Sequence, residues 1–200
     1  MARTRSFDPI AAVRAARTVF WDVGYEAASI PDLEAATGLS RSSIYNTFGS
    51  KRGLFDAAVQ NYLDEVIRPR LSPLQVSEVA PEALIDYLNG LREAFTSLDS
   101  TAVANGCLLI NTAGAPIAHE EPVAKVIAEY RAELHEAVSR GIAALGDRTD
   151  ARVERAADIV TNLVIAGFAL VRVDQAQAVN SIACALQVVE GAQADVRQVV

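Results

Sequence analysis

Ser29-Ile30-Pro31-Asp32-Leu33-Glu34-Ala35-Ala36-Thr37-Gly38-Leu39-Ser40-Arg41-Ser42-Ser43-Ile44-Tyr45-Asn46-Thr47-Phe48-Gly49-Ser50-Lys51 holds three helix starts and two helix stops in one run. Each start is a serine, whose hydroxyl can accept from the orphaned N–H groups of a first helical turn. Pro31 suits a first turn and Asp32 meets the positive end of the helix dipole. Leu33, Ala35 and Ala36 carry that helix to Thr37, with the two alanines expected to let it approach the next helix closely. Gly38-Leu39 forms the turn, and Ser40 opens a third helix, Arg41 to Phe48. Gly49 ends it, and Ser50 opens a fourth that bears Leu54, Phe55, Val59, Tyr62 and Leu63. Upstream, Asp8-Pro9 starts a longer helix with an apolar stripe at Ile10, Val13, Ala16, Phe20 and Val23, stopped by Gly24. A brace helix followed by two short helices around a glycine turn is a helix-turn-helix arrangement. The third helix begins Ser-Arg-Ser-Ser and so offers hydroxyls and a guanidinium at the end that a recognition helix presents to DNA. Spacing alone also admits a three-helix bundle with no DNA role.

Charge divides along the chain in the same way. The 200 residues carry a formal net charge of −7. Up to residue 55 there are seven bases against five acids, and beyond it eleven against twenty. A mildly basic head on an acidic body would turn one end toward phosphates. Half the residues are apolar, alanine is frequent, and period-two β-branched runs are scarce, so helix is favoured throughout. The fold class expected is all-α, with a head over residues 1–55 and a larger helical body over 56–200. The most apolar stretch, Ile159 to Val171, falls well short of the ~20 residues a membrane span needs. The N-terminus has no apolar signal region, so the expected location is the cytoplasm. Cys107 and Cys184 have neither disulfide-scaffold nor metal-ligand spacing, and no metal or cofactor is expected.

In the body, Pro81 opens an amphipathic helix through Leu84, Tyr87, Leu88, Leu91 and Phe95. The Arg68-Pro69-Arg70-Leu71-Ser72-Pro73 stretch before it reads as the end of the fourth helix and the joint between head and body. A short apolar segment, Gly106 to Thr112, precedes the break at Gly114-Ala115-Pro116. Long helices follow from Pro122 to about Leu145, Thr149 to Val173 and Gln177 to Gly191. The last two are apolar on too many sides for a monomer's surface, which predicts a two-fold homodimer through them, the alternative being the core of a large monomer. Tyr87, Leu91, Phe95, Cys107, Ile110, Asn111, Tyr130, Leu134 and Phe168 give mostly apolar positions with a few polar handles. They are the expected lining of a small-molecule effector pocket.

Val23 to Ile30 and Ala36 to Lys51 together resemble the DNA-binding signature of the TetR/AcrR family of transcriptional regulators. Ala28 departs from it where threonine is common, and Thr47 where histidine or tyrosine precedes the phenylalanine. The resemblance implies a repressor that leaves a palindromic operator when an effector binds. It places Ser40, Arg41, Ser42 and Ser43 at the major-groove edge, and Tyr45, Thr47, Lys51 and Ser29 on phosphates. Asn46 can read adenine or bond a phosphate. Arg3 and Arg5 form either a minor-groove arm or a solvated tail. The Gly-Cys-Leu-Leu segment resembles a branch of the family in which this cysteine answers electrophiles or oxidants, which makes a Cys107 switch the alternative reading, set against a buried, inert cysteine. Catalysis is not expected. Cys107 and His119 are the only candidate nucleophile and base, with no oxyanion loop, phosphate loop or dinucleotide fingerprint. His135, between Glu133 and Glu136, reads as solvated or salt-bridged.

Overall fold

The serine starts and glycine stops set up the head as the sequence implies. The computed structural model describes residues 8–97, 105–146 and 149–197, with side chains up to 191. Arg3 and Arg5 lie outside that range. Helix α1 (Pro9–Ala27) is capped by the Asp8 carboxylate, which accepts from the Ile10 and Ala11 N–H groups. Its regular geometry breaks at Gly24, where φ is +81°, before one last turn. Helices α2 (Ile30–Thr37), α3 (Arg41–Phe48) and α4 (Lys51–Tyr62) start on Ser29, Ser40 and Ser50, each hydroxyl accepting from a first-turn N–H. Gly38 ends α2 with φ +69°.

Ala12, Ala16, Phe20, Leu33, Ile44, Leu54 and Phe55 form the core of the head. The Phe20 and Phe55 rings meet edge-on at 5.2 Å. Ala35 and Ala36 do not serve as spacers, because both face solvent and Leu33 turns inward instead. The close approach is made elsewhere, by Gly53. A Cβ there would lie 2.0 Å from the Phe48 carbonyl oxygen, so only glycine lets the first turn of α4 sit on the last turn of α3.

The fourth helix does not end at the prolines. After Tyr62 the chain widens into a π-helical turn, Leu63–Ile67, and continues as α5 (Arg68–Gln75). Pro69 has no N–H for the carbonyl four residues back and its ring would crowd that carbonyl. In the wider turn the Arg68 N–H reaches back five residues to the Leu63 carbonyl, and the helix passes the proline without breaking. A boundary at residues 55 and 56 falls inside α4.

The body follows with α6 (Ala83–Ser97), α7 (Leu108–Ala113), a 3-10 turn (Pro116–His119), α8 (Glu121–Ala143), α9 (Asp150–Leu170) and α10 (Gln175–Arg197). Leu84, Leu88, Leu134, Val138, Ile142, Val160, Val164, Ile182 and Val189 fill the space between them. Gly141 brings α8 onto α6: a Cβ there would stand 2.7 Å from that of Leu84. Among the described residues every regular element is helical, and no helix is long and apolar enough to cross a membrane.

Candidate nucleic-acid interface and effector pocket

Ile44, fully buried, pins α3 to the head and so fixes which side chains face outward. Arg41, Ser42, Tyr45, Asn46 and Thr47 are exposed, and Ser43 is half-buried. The Ser40 hydroxyl accepts from the Ser43 N–H at 3.3 Å and stands 2.9 and 3.0 Å from the Ser42 and Ser43 hydroxyls. Three hydroxyls therefore gather at the positive end of α3. The Arg41 guanidinium lies 5.6 Å from the centre of the Tyr45 ring, while the Arg41 N–H donates to the Glu34 carboxylate and sets α2 against α3.

Three other cations of the head are held by acids. Arg14 and Arg17 pair with Glu65, and Arg52 with Asp56 and Glu120. Among the described residues Arg41 has no acidic partner for its guanidinium. Ser29 is committed to a capping box, and its hydrogen bonds to Asp32 hold that carboxyl below its usual range. Lys51 lies 4.5 Å over the Tyr25 ring and donates to the Glu26 carbonyl at 3.4 Å. Burial lowers its pKa.

The sequence-based pocket residues are scattered. A groove of about 630 Å³ opens between α5 and α6, walled by Pro69, Arg70, Pro73, Ala83, Tyr87 and Leu91 among others. Tyr87 and Leu91 alone of the expected set line it. Phe95 and Phe168 instead pack edge-on at 5.2 Å in the core between α6 and α9. Cys107 is fully buried with its Sγ 3.8 Å from the Tyr130 hydroxyl. Burial pushes the Tyr62, Tyr87 and Tyr130 hydroxyls up, with the neighbouring Cys107 adding to each. Leu134 is core, Ile110 is half-buried against it, and the Asn111 side chain donates to the Asn105 carbonyl at 2.8 Å. Arg70 and its flanking prolines belong to the groove wall but read in sequence as a joint, because prolines signal a break and no local pattern announces a π turn.

Head and body meet through side chains of α1. The Trp21 indole donates to the Gly106 carbonyl at 3.1 Å, and the Glu26 carboxylate accepts from the Ile117 N–H at 2.9 Å. Arg172 reaches the Asp22 carbonyl at 3.2 Å. A smaller cavity of about 240 Å³ lies in this joint, bounded by Trp21, Glu26, Asn111 and Arg172 among others. Gly106 has φ +70°, and a Cβ on it would come within 2.9 Å of the Phe168 carbonyl oxygen.

A helix-turn-helix head joined to a larger all-helical body is the architecture of a DNA-binding transcriptional regulator. The model for "Bacterial regulatory proteins, tetR family" matches residues 12–58. The uncharacterized HTH-type transcriptional regulator YezE of Bacillus subtilis is 31% identical over 142 residues, 71% of this chain and 72% of its own length. The HTH-type transcriptional repressor ComR of Escherichia coli is 39% identical over 110 residues, 54% of this chain and about half (51%) of ComR. Among solved structures, a cysteine mutant of the TetR family transcriptional regulator CifR, complexed with 26-bp double-strand operator DNA, is similar at TM-score 0.73. Its identity is 30%, over 92% of this chain and 98% of that one. The chain belongs to the TetR family.

Proposed function

We propose that this chain is a cytoplasmic transcriptional repressor rather than an enzyme. Its head (residues 1–55) binds double-stranded operator DNA, and its body (56–200) dimerises and takes up a small-molecule effector. The outward face of α3 carries this reading: Arg41 without an acidic partner, Ser42, Asn46 and Thr47 exposed, and a hydroxyl cluster at the helix N-terminus. The likeness to CifR, solved on operator DNA, supports the same assignment. Arg41, Ser42 and Asn46 are assigned to base edges, with Tyr45, Thr47 and Lys51 on phosphates. Ser29, Ser40 and Ser43 shape the surface through their caps and hydroxyl contacts.

Dimerisation is assigned to α9 and α10, where Ile159 is 44% exposed and Leu163, Val179 and Val188 are half-buried. Two α3 helices about 34 Å apart would read a palindrome. The groove between α5 and α6 is the effector site this reading favours, with Tyr87 and Leu91 on its wall. The direct test is anisotropy titration of a labelled duplex from upstream of the gene. Specific binding should weaken steeply with salt, and a salt-independent affinity overturns the reading.

A second reading, a thiol switch, rests on the adjacency of Cys107 to Gly106, whose carbonyl holds Trp21 of the head. The buried thiol would have to be exposed before reacting. An electrophile that releases wild type and Cys107→Ser equally from DNA excludes this mechanism.

A further inference from the structure

Away from the groove and the joint, one side-chain cluster ties α8 to α9. Glu154 and Asp158 stand one turn apart on α9 and therefore share a face. His135 meets them from α8. Its Nε2 lies 3.3 Å from one Asp158 oxygen and 3.6 Å from one Glu154 oxygen. The three donor atoms all lie within 4.8 Å of one another. The His135 nitrogen is shielded from solvent and makes no hydrogen bond among the described residues, whereas the carboxylates are open, at 65% and 55% exposure. An ion pair alone would balance charge here but leave that nitrogen without an aligned partner.

We propose that His135, Glu154 and Asp158 form a binding site for a divalent transition-metal ion such as Zn²⁺, with water completing the coordination. Donors around a tetrahedral zinc with bonds of 2.0–2.1 Å stand about 3.4 Å apart, and the two His135 separations bracket that value. Closing the carboxylates on the ion requires only rotation of exposed side chains. A set of one imidazole and two carboxylates suits zinc, manganese or cobalt better than all-oxygen calcium or thiolate-seeking copper(I). Arg131 stands 3.8 Å from the same Asp158 oxygen, and the second carboxylate oxygen remains available to it when the first turns to the ion. The bound ion would pin α8 to α9, the helix that carries part of the proposed dimer face.

The test uses full-length, tag-free protein dialysed against chelator and equilibrated with Zn²⁺ in excess Mg²⁺, with bound metal measured by atomic emission. One ion per chain is expected. His135→Ala and Asp158→Asn should each weaken uptake by at least the roughly tenfold that even outer partners of a metal contribute. Both should keep the wild-type circular-dichroism spectrum, and the exposed Asp158→Asn decides alone if His135→Ala misfolds. Absence of stoichiometric uptake by the wild type overturns the proposal. So does uptake that survives the substitutions, since the ion would then sit elsewhere, for instance at Cys184 or His119.

Discussion

Glu65 is the most strongly shifted surface carboxyl described, held down to about 2 by hydrogen bonds from Arg14, Asn61 and Arg17. A carboxyl depressed on folding stabilises the fold above its unfolded value of about 4.3 and loses that contribution as pH falls toward its folded value. The melting-temperature gap between wild type and Glu65→Gln should accordingly be constant above pH 5 and shrink toward pH 2. A gap independent of pH would mean that the α1 arginines do not hold this carboxylate in solution. Gly53→Ala forces a methyl against the Phe48 carbonyl, an overpacking that costs roughly 1–3 kcal/mol in urea unfolding. Arg41→Ala should leave that unfolding curve unchanged and weaken operator binding by ~1–3 kcal/mol if the guanidinium reads a base. These sites differed in legibility. Arg41 was visible from its place after a capping serine, whereas Gly53 looked like an ordinary first-turn residue. Its necessity comes from a backbone five residues earlier, brought close only by the turn at Gly49.

At the scale of elements, the joint between α1 and the α7 segment ties the head to the body. Trp21→Phe removes the donor to Gly106 while preserving ring packing against Tyr62, whose ring centre lies 4.9 Å away. The loss expected is ~1 kcal/mol of stability, with effector-free operator affinity changed more than Arg41-independent, non-specific DNA affinity. Equal changes in both affinities would show that the joint has no part in setting the head. Helix limits in the head were readable because caps are local chemistry: a serine, a proline and a glycine each act within a turn. The continuation through Leu63–Ile67 was not, since its cause is packing of Leu63, Ile67 and Leu71 into the core, which offsets the prolines. The groove was half-legible for a related reason. Aromatic and apolar residues were correctly located on body helices, but which of them face open space depends on how α5 lies against α6.

For the whole molecule, the apolar outer face of α9 predicts association. Ile159→Glu should shift the sedimentation coefficient from dimer to monomer and reduce operator affinity together, because in the proposed dimer two heads would share one palindrome. A monomeric wild type would relocate the interface. The division of charge has its structural counterpart here: the acids that hold Arg14, Arg17 and Arg52 leave α3 as the head's open basic surface. The overall class was legible because it rests on repeated helical periodicity and a dense local signature. The joint was not, since Trp21 and Gly106, or Glu26 and Ile117, are distant in sequence and meet only in the fold.

The π turn also acts as a phase setter. One residue more per turn rotates everything downstream by about 100° around the helix axis. It is this rotation that aims Arg70 and Pro73 at the groove. Shortening the turn by a residue would leave the composition of α5 nearly untouched and yet give the groove a different wall, so its lining depends on length as much as on chemistry.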